Sequence, residues 1–202
     1  MKNNSIAVMA SGKGTNLRVI LQAIEQGTCP ARVACVICNK EDAAALSIAR
    51  QAGVPHVFFL NPKDYENRKD FDEACAKVIQ DAGCHWVILA GYMRILSAEF
   101  IQNFPNRIIN IHPSLLPAFI GADAVGAALQ HGVKVTGCTV HLVNEDLDGG
   151  PILAQASVEV LDDDNWHTLH QRIQVEEHRL FPETIARLLT TDFTIDGRRI
   201  IW

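Results

Sequence analysis

Short apolar runs alternate with stretches of helical period through the first half of this chain, and few folds accept that alternation. Runs at 6–10, 32–38, 57–60 and 86–90 read as strands. The last, Trp86-Val87-Ile88-Leu89-Ala90, is uniformly apolar, as a central parallel strand covered on both faces must be. Between the runs the spacing predicts helices. One spans 15–26, with Leu17, Ile20, Leu21 and Ile24 at i, i+3, i+4 and i+7. A second spans 42–52, and a third spans 64–82 with Phe71, Cys75, Val78, Ile79 and Ala82 on one face. Gly27 and Gly53 close the first two. A short helical segment at 98–103 leads to a fifth strand at 107–111. Repeated βα units of this length imply a doubly wound parallel sheet, with right-handed crossovers that place helices on both faces.

After residue 122 the pattern changes. A helix at 124–130 precedes strands at 136–143 and 152–160, close enough in sequence to pair antiparallel. A helix at 166–189 and a short terminal strand ending at Trp202 complete the chain. The fold class read from this order is α/β: a Rossmann-like, doubly wound, mostly parallel sheet with an antiparallel C-terminal extension. One domain over 1–202 accounts for it, with its weakest break near residue 100.

Composition narrows the function. The chain has 202 residues, 48% hydrophobic and 20% charged, enough for a sizeable core. A net charge of −5 argues against non-specific nucleic-acid binding, which needs a basic surface. A local pocket can still oppose that charge and take an anionic small substrate. The segment 1–5 runs into an apolar stretch too short for a signal segment, and no run approaches membrane-spanning length. A cytoplasmic protein that binds neither nucleic acid nor membrane is expected. Six cysteines are scattered: Cys29, Cys35, Cys38, Cys75, Cys84 and Cys138. Cys35 and Cys38 form a C-x-x-C, but positions three apart on a strand face opposite sides. Buried reduced thiols are expected there, not a metal or redox pair. No cluster shows metal-ligand spacing.

Ligands of an open α/β sheet bind beyond the carboxyl ends of its parallel strands. The first such loop is Ala10-Ser11-Gly12-Lys13-Gly14-Thr15-Asn16. Its glycines let backbone approach an anion, and the following helix offers free N–H groups, with Thr15 or Asn16 as side-chain donors. The simpler reading is a tight βα turn capped by Thr15. Leu17 occupies the third glycine position of a dinucleotide fingerprint, no Walker A lysine follows, and Asn39-Lys40 stands where a ribose-binding acid would be. A monophosphate therefore fits better than a dinucleotide. The loop Gly91-Tyr92-Met93-Arg94-Ile95-Leu96 follows the fourth strand. It suits a flat heteroaromatic ring beside a carboxylate or carbonyl, or is an ordinary loop with an exposed arginine.

The strongest chemical signal is Asn110-Ile111-His112-Pro113-Ser114-Leu115-Leu116-Pro117, with Asp148 downstream in Leu147-Asp148-Gly149-Gly150-Pro151. Asn110 and His112 are two apart, so on a strand they point the same way. An amide donor beside a titratable ring, with a carboxylate to orient it, suits a reaction that forms an oxyanion. Pro113 and Pro117 stiffen the chain after them. For His112 alone the competing reading is a satisfied core histidine. On the last helix, Leu169, Ile173, Glu177, Leu180 and Phe181 share a stripe. Burying Glu177 unpaired is costly, so it either pairs with a neighbour such as Arg172 or faces a site. Pro182 is expected to kink the helix just beyond it.

These segments together resemble the phosphoribosylglycinamide formyltransferases, the folate-dependent transformylases of purine synthesis. The four motifs occur in the order and spacing of that family, and the resemblance runs from about residue 5 to the C-terminus. It implies 10-formyltetrahydrofolate as cosubstrate donor, glycinamide ribonucleotide as acceptor, and no metal. On matching positions, Asn110, His112 and Asp148 look like the catalytic trio. Gly12, Lys13, Gly14, Thr15, Asn16 and Pro113 look like the acceptor and phosphate site, with Glu177 at the acceptor's amino or ribose end. Tyr92, Met93, Arg94, Ile95 and Leu96, with Val143, Asn144 and Asp146, look like the folate pocket. The 1–100 half then binds phosphate, and the 101–202 half carries catalysis and folate. A monomer or homodimer acting on small molecules is implied. The chain departs from the family at 120–125, where many members have a proline at the position of Ile120 and some have histidines within 122–125.

The mechanism implied is attack of the acceptor's amine on the formyl carbon. Asn110 and His112 hold the tetrahedral oxyanion, and Asp148 assists proton transfer. Related formyltetrahydrofolate deformylases use water as the acceptor, but they usually carry an extra N-terminal domain and tend to differ just after the histidine, where Pro113 stands. Methionyl-tRNA formyltransferase adds a C-terminal domain and binds tRNA, which the acidic charge and short length disfavour. A non-catalytic folate- or nucleotide-binding module is the remaining alternative.

Overall fold

A computed structural model describes residues 4–202; the Met1-Lys2-Asn3 part of the segment weighed above as a signal lies outside the described residues. The chain divides into two compact units, 1–109 and 110–202. In the first, strands β1 (Ser5–Ala10), β2 (Arg32–Cys38), β3 (His56–Phe59) and β4 (Trp86–Leu89) lie in the order β3-β2-β1-β4. All three pairings are parallel. β1 is buried along its whole length, which is why its residues are uniformly small or apolar. Helices α1 (Thr15–Glu25), α2 (Ala44–Gln51), α3 (Arg68–Asp81) and α4 (Ala98–Asn103) alternate with these strands. Strand β5 (Ile108–His112) starts in this unit and ends in the next.

Two local expectations fail for stated reasons. The helix expected over 64–82 starts only at Arg68. Asn61 caps a single 3-10 turn, Pro62–Asp64, by accepting from the Lys63 N–H, and Tyr65 then runs extended. Asn67 starts a new helix by accepting from the Asp70 N–H at 3.1 Å. Two asparagine caps six positions apart thus divide what apolar periodicity joins. Thr15 does not cap α1 either. The cap position is Gly14, left-handed at φ 69°, and no side chain bonds there. A Cβ at Gly14 would also lie 2.8 Å from the Ala45 Cα, so glycine is required twice over.

The second unit orders its strands β5-β6-β7-β9-β8. β6 (Val135–Leu142) and β7 (Ile152–Glu159) pair antiparallel, as expected. The expected single terminal strand is a hairpin instead. β8 (Thr194–Asp196) and β9 (Arg199–Ile201) pair antiparallel around Gly197, whose φ is 58°. The fold class is therefore α/β, with a mostly parallel sheet and antiparallel C-terminal strands. Helix α5 (Ala124–Gln130) is capped by Asp123, which accepts from the Gly126 N–H. Helix α6 (Trp166–Thr190) opens with a capping box between Asn165 and Thr168 and continues through Pro182. Its buried stripe includes Leu169, Ile173, Glu177, Leu180, Phe181, Ile185 and Leu188. Arg172, one neighbour considered for Glu177, pairs with Asp164 and donates to the Glu159 carbonyl.

All six cysteines are free and buried. Desolvation pushes the Cys35 thiol up to about 12 and the Cys38 thiol up to about 11, so neither is a thiolate near neutral pH. Among the described residues no helix is long and apolar enough to cross a membrane.

Candidate active site

β5 delivers Asn110 and His112 to one side of the sheet, as their spacing requires. The chain beyond His112 is fixed by one buried hydroxyl. Thr139 Oγ1 of β6 donates to the Ser114 carbonyl at 2.7 Å and accepts from the Leu116 N–H at 3.0 Å. Gln155 of β7 adds bonds to the same hydroxyl at 2.9 Å and to the Leu116 carbonyl at 3.0 Å. This network, rather than the prolines alone, holds residues 114–116.

Asp148 arrives from the loop after β6 in the left-handed region, at φ 50°. Aspartate tolerates this conformation better than most residues, and the glycine pair after it completes the turn. Its Oδ2 accepts from the Gly121 N–H at 2.9 Å and lies 3.6 Å from His112 Nδ1. The other ring nitrogen, Nε2, donates to the Phe119 carbonyl at 2.8 Å. The trio is thus assembled within the second unit, with His112 6% and Asp148 10% exposed at their side chains. Of the 120–125 segment, Gly121 touches Asp148, and Asp123 caps α5 and accepts from the Trp166 indole N–H at 3.0 Å.

In the same unit Pro113 is half-buried beside His112. Val143 and Asn144 are half-buried and Asp146 is exposed, on the loop that ends at Asp148. Asn144 Oδ1 is buried with no hydrogen-bond partner, a group that calls for a ligand or water. Glu177 is buried on α6 beside Cys138. Burial first, and the Glu177 charge second, push that thiol up to about 12.

In the first unit the loop after β1 holds Gly12, Lys13 and Gly14 ahead of α1, and Lys13 is exposed. Thr15 and Asn16 form the first helical positions. Asn16 is buried, and its Oδ1 has no hydrogen-bond partner. The loop after β4 alternates: Tyr92 and Leu96 are buried and Arg94 half-buried, whereas Met93 is 75% and Ile95 61% exposed. Any ligand on this loop meets Met93, Ile95 and backbone before it meets the arginine. Ser11 joins the two loops. Its hydroxyl donates to Asn39 Oδ1 at 2.6 Å and accepts from the Met93 N–H at 2.8 Å, and its own N–H donates to the Gly91 carbonyl.

A formyl transferase family model matches residues 4–185. The chain belongs to the formyl transferase family. A phosphoribosylglycinamide formyltransferase of Mycobacterium tuberculosis is 46% identical over 96% of this chain and 88% of its own. Its counterpart in Haemophilus influenzae is 42% identical over 89% of this chain and 84% of its own. The crystal structure of glycinamide ribonucleotide transformylase 1 from Symbiobacterium toebii superposes with a TM-score of 0.94 at 48% identity, covering 97% of this chain and 92% of that one.

Groups that the motifs did not mark also contact the expected site residues. His141 is one: its Nε2 lies 3.2 Å from Asn110 Nδ2 and 3.8 Å from Asp148 Oδ1. A signal existed, since Thr139 and His141 are polar residues two apart in a strand buried from Thr136 onward. Ser11 is the second, hidden because serine before a glycine loop reads as ordinary turn chemistry. The Phe119 carbonyl and Gly121 N–H are backbone groups without a sequence signature.

Arg94 is a scaffold group in this formyl transferase. Its guanidinium sits 5.0 Å from the Phe71 ring centroid. It also opposes the raised pKa that burial gives Asp72, whose carboxylate accepts from the Ser97 N–H at 2.6 Å. Replacing Arg94 by Ala is expected to lower unfolding free energy by about 1–3 kcal/mol, because the guanidinium loses its place over the Phe71 ring and the buried Asp72 carboxylate loses one of the two nearby cations, Arg94 and Arg68. Urea denaturation measures this; a change below about 0.5 kcal/mol, the range of ordinary surface substitutions, would contradict the scaffold role.

Proposed function

We propose that this chain transfers the formyl group of 10-formyltetrahydrofolate to the amine of glycinamide ribonucleotide, a step of de novo purine synthesis, in the cytoplasm. The carrying observation is the half-buried Asn110 on the same strand as His112, whose side chain is 6% exposed and faces that of Asp148, 10% exposed, in a chain so similar to enzymes of that name. The reading treats 1–202 as one catalytic domain. Gly12, Lys13, Gly14, Thr15 and Asn16 hold the acceptor's phosphate on backbone N–H groups and the helix end. Pro113 and Glu177 position its remaining groups. Tyr92 to Leu96, with Val143, Asn144 and Asp146, hold the folate, and the partnerless oxygens of Asn16 and Asn144 are groups that bound substrates would satisfy.

The amine nitrogen attacks the formyl carbon, and the carbonyl electron pair moves onto oxygen. The Asn110 amide and the His112 ring donate hydrogen bonds to that oxyanion. Collapse re-forms the carbonyl, breaks the bond from carbon to N10, and leaves the formyl group on the acceptor. The amine gives up one proton and N10 gains one. Asp148 and His112 are the carriers; their 3.6 Å separation exceeds a hydrogen bond, so a water or a reacting group passes the proton between them.

The test supplies 10-formyltetrahydrofolate with and without glycinamide ribonucleotide and follows tetrahydrofolate release. Release that depends on the acceptor is expected. Release without the acceptor would make the protein a hydrolase, and none at all would make it a binding module.

A further inference from the structure

We propose that His141 is a positioning residue for formyl transfer, selecting the orientation of the Asn110 amide that leaves an N–H for the oxyanion. The inference rests on the proposed role of Asn110.

The two nitrogens of the His141 ring have separate tasks. Nδ1 lies 2.9 Å from the Leu142 carbonyl, which can only accept, so Nδ1 carries the proton. In the neutral ring, Nε2 is then a bare lone pair, 3.2 Å from Asn110 Nδ2. The ring is 2% exposed, and burial holds it toward the neutral form by lowering its pKa. An asparagine amide turned by half a rotation exchanges its NH2 and its oxygen. In the turned form Oδ1 would face the Nε2 lone pair, acceptor against acceptor. The bare nitrogen therefore keeps the NH2 on its side. One N–H goes to His141, and the second stays available for the substrate.

Asp148 makes the neutral state of His141 matter. Its Oδ1 lies 3.8 Å from His141 Nε2, and its Oδ2 faces His112 Nδ1. A proton on Nε2 would turn that nitrogen from acceptor to donor and draw it to Asp148, releasing Asn110. Locking the His141 proton on the Leu142 side keeps the two histidines distinct: His112 exchanges protons, and His141 Nε2 only accepts.

The test compares His141→Leu, His141→Met and His141→Gln with wild type, and repeats His141→Leu in an Asn110→Ala background. Steady-state kcat and KM for both substrates are measured beside thermal denaturation and the amide NMR signals of Asn110. The apolar variants should lose roughly 10- to 100-fold in kcat, part of the loss typical of an oxyanion donor, with each KM within about twofold. Gln places an acceptor near the Nε2 position and should recover most of the rate. With Asn110 already Ala, His141→Leu should cost less than about twofold more, because its target is gone. The Asn110 NH2 signals should shift in Leu and Met but not in Gln. If Leu does not fold, Met carries the comparison. Unchanged kcat in a folded apolar variant, a full multiplicative loss in the Asn110→Ala background, or an unmoved Asn110 signal overturns the proposal. A wild-type protein without acceptor-dependent release overturns the proposed function instead, and the NMR comparison still decides the contact.

Discussion

Asn110→Ala is expected to lower the formyl-transfer rate roughly 10²- to 10³-fold, the usual cost of deleting one oxyanion donor in a desolvated site. The loss should fall on kcat more than on KM, because the hydrogen bond strengthens only as charge builds on the formyl oxygen. Deleting the amide also leaves His141 Nε2 facing no donor from residue 110. Asp148→Asn is the companion measurement. It keeps the size of the side chain but removes the charge beside His112 and replaces one acceptor oxygen with an amide NH2 donor. Both variants are assayed for tetrahydrofolate release at saturating donor and acceptor. Near-normal turnover in both would remove the trio from the chemistry.

Gly150→Ala should produce a large loss of stability from a single methyl group. A Cβ at position 150 would stand 1.8 Å from the Leu142 carbonyl oxygen and 2.9 Å from its carbon. Both atoms are backbone, so no rotamer change relieves the clash. Leu142 is itself fixed through its N–H to the Pro151 carbonyl at 2.9 Å. The strands must move apart at the base of the loop that carries Asp148. A cost of about 3 kcal/mol, the upper end for overpacking, corresponds to a fall of roughly 6–12 °C in Tm for a chain of this size. Activity should fall further than stability, because the same movement displaces Asp148 from His112. Calorimetry and the release assay on the folded fraction check the two parts. A variant with wild-type Tm would mean that the strand ends are not held as described.

The sequence was most legible where one physical demand acted alone. Full burial of β1 forces an apolar run, and the one-sided burial of α1 and α6 forces a helical stripe. Their extents are read to within a residue or two. Legibility failed where side chains overrule periodicity. Asn61 and Asn67 break the helix that the Phe71 face suggests, and Gly197 folds the last strand back on itself. At the candidate site, Asn110, His112 and Asp148 could be proposed from sequence because oxyanion chemistry suits those functional groups at that spacing. His141, Ser11 and the carbonyl of Phe119 could not, because what marks them is contact with other groups. That depends on distances across 31, 82 and 7 positions of chain, which no local pattern encodes.

Ser11 bears on which sequences this loop can explore. One hydroxyl has a single proton and two lone pairs; here the proton goes to Asn39 and a lone pair takes the Met93 N–H, while the side chain stays 2% exposed. Alanine would drop both bonds, cysteine would make them long and weak, and threonine would need space for a methyl group in a full interior. Asn39 in turn has to keep its oxygen toward position 11, so the loops after β1, β2 and β4 drift together through sequence space or not at all. Variation in this half of the molecule is thereby channelled to exposed positions such as Lys13, Met93 and Ile95, where a change alters what the loops touch without altering where they stand.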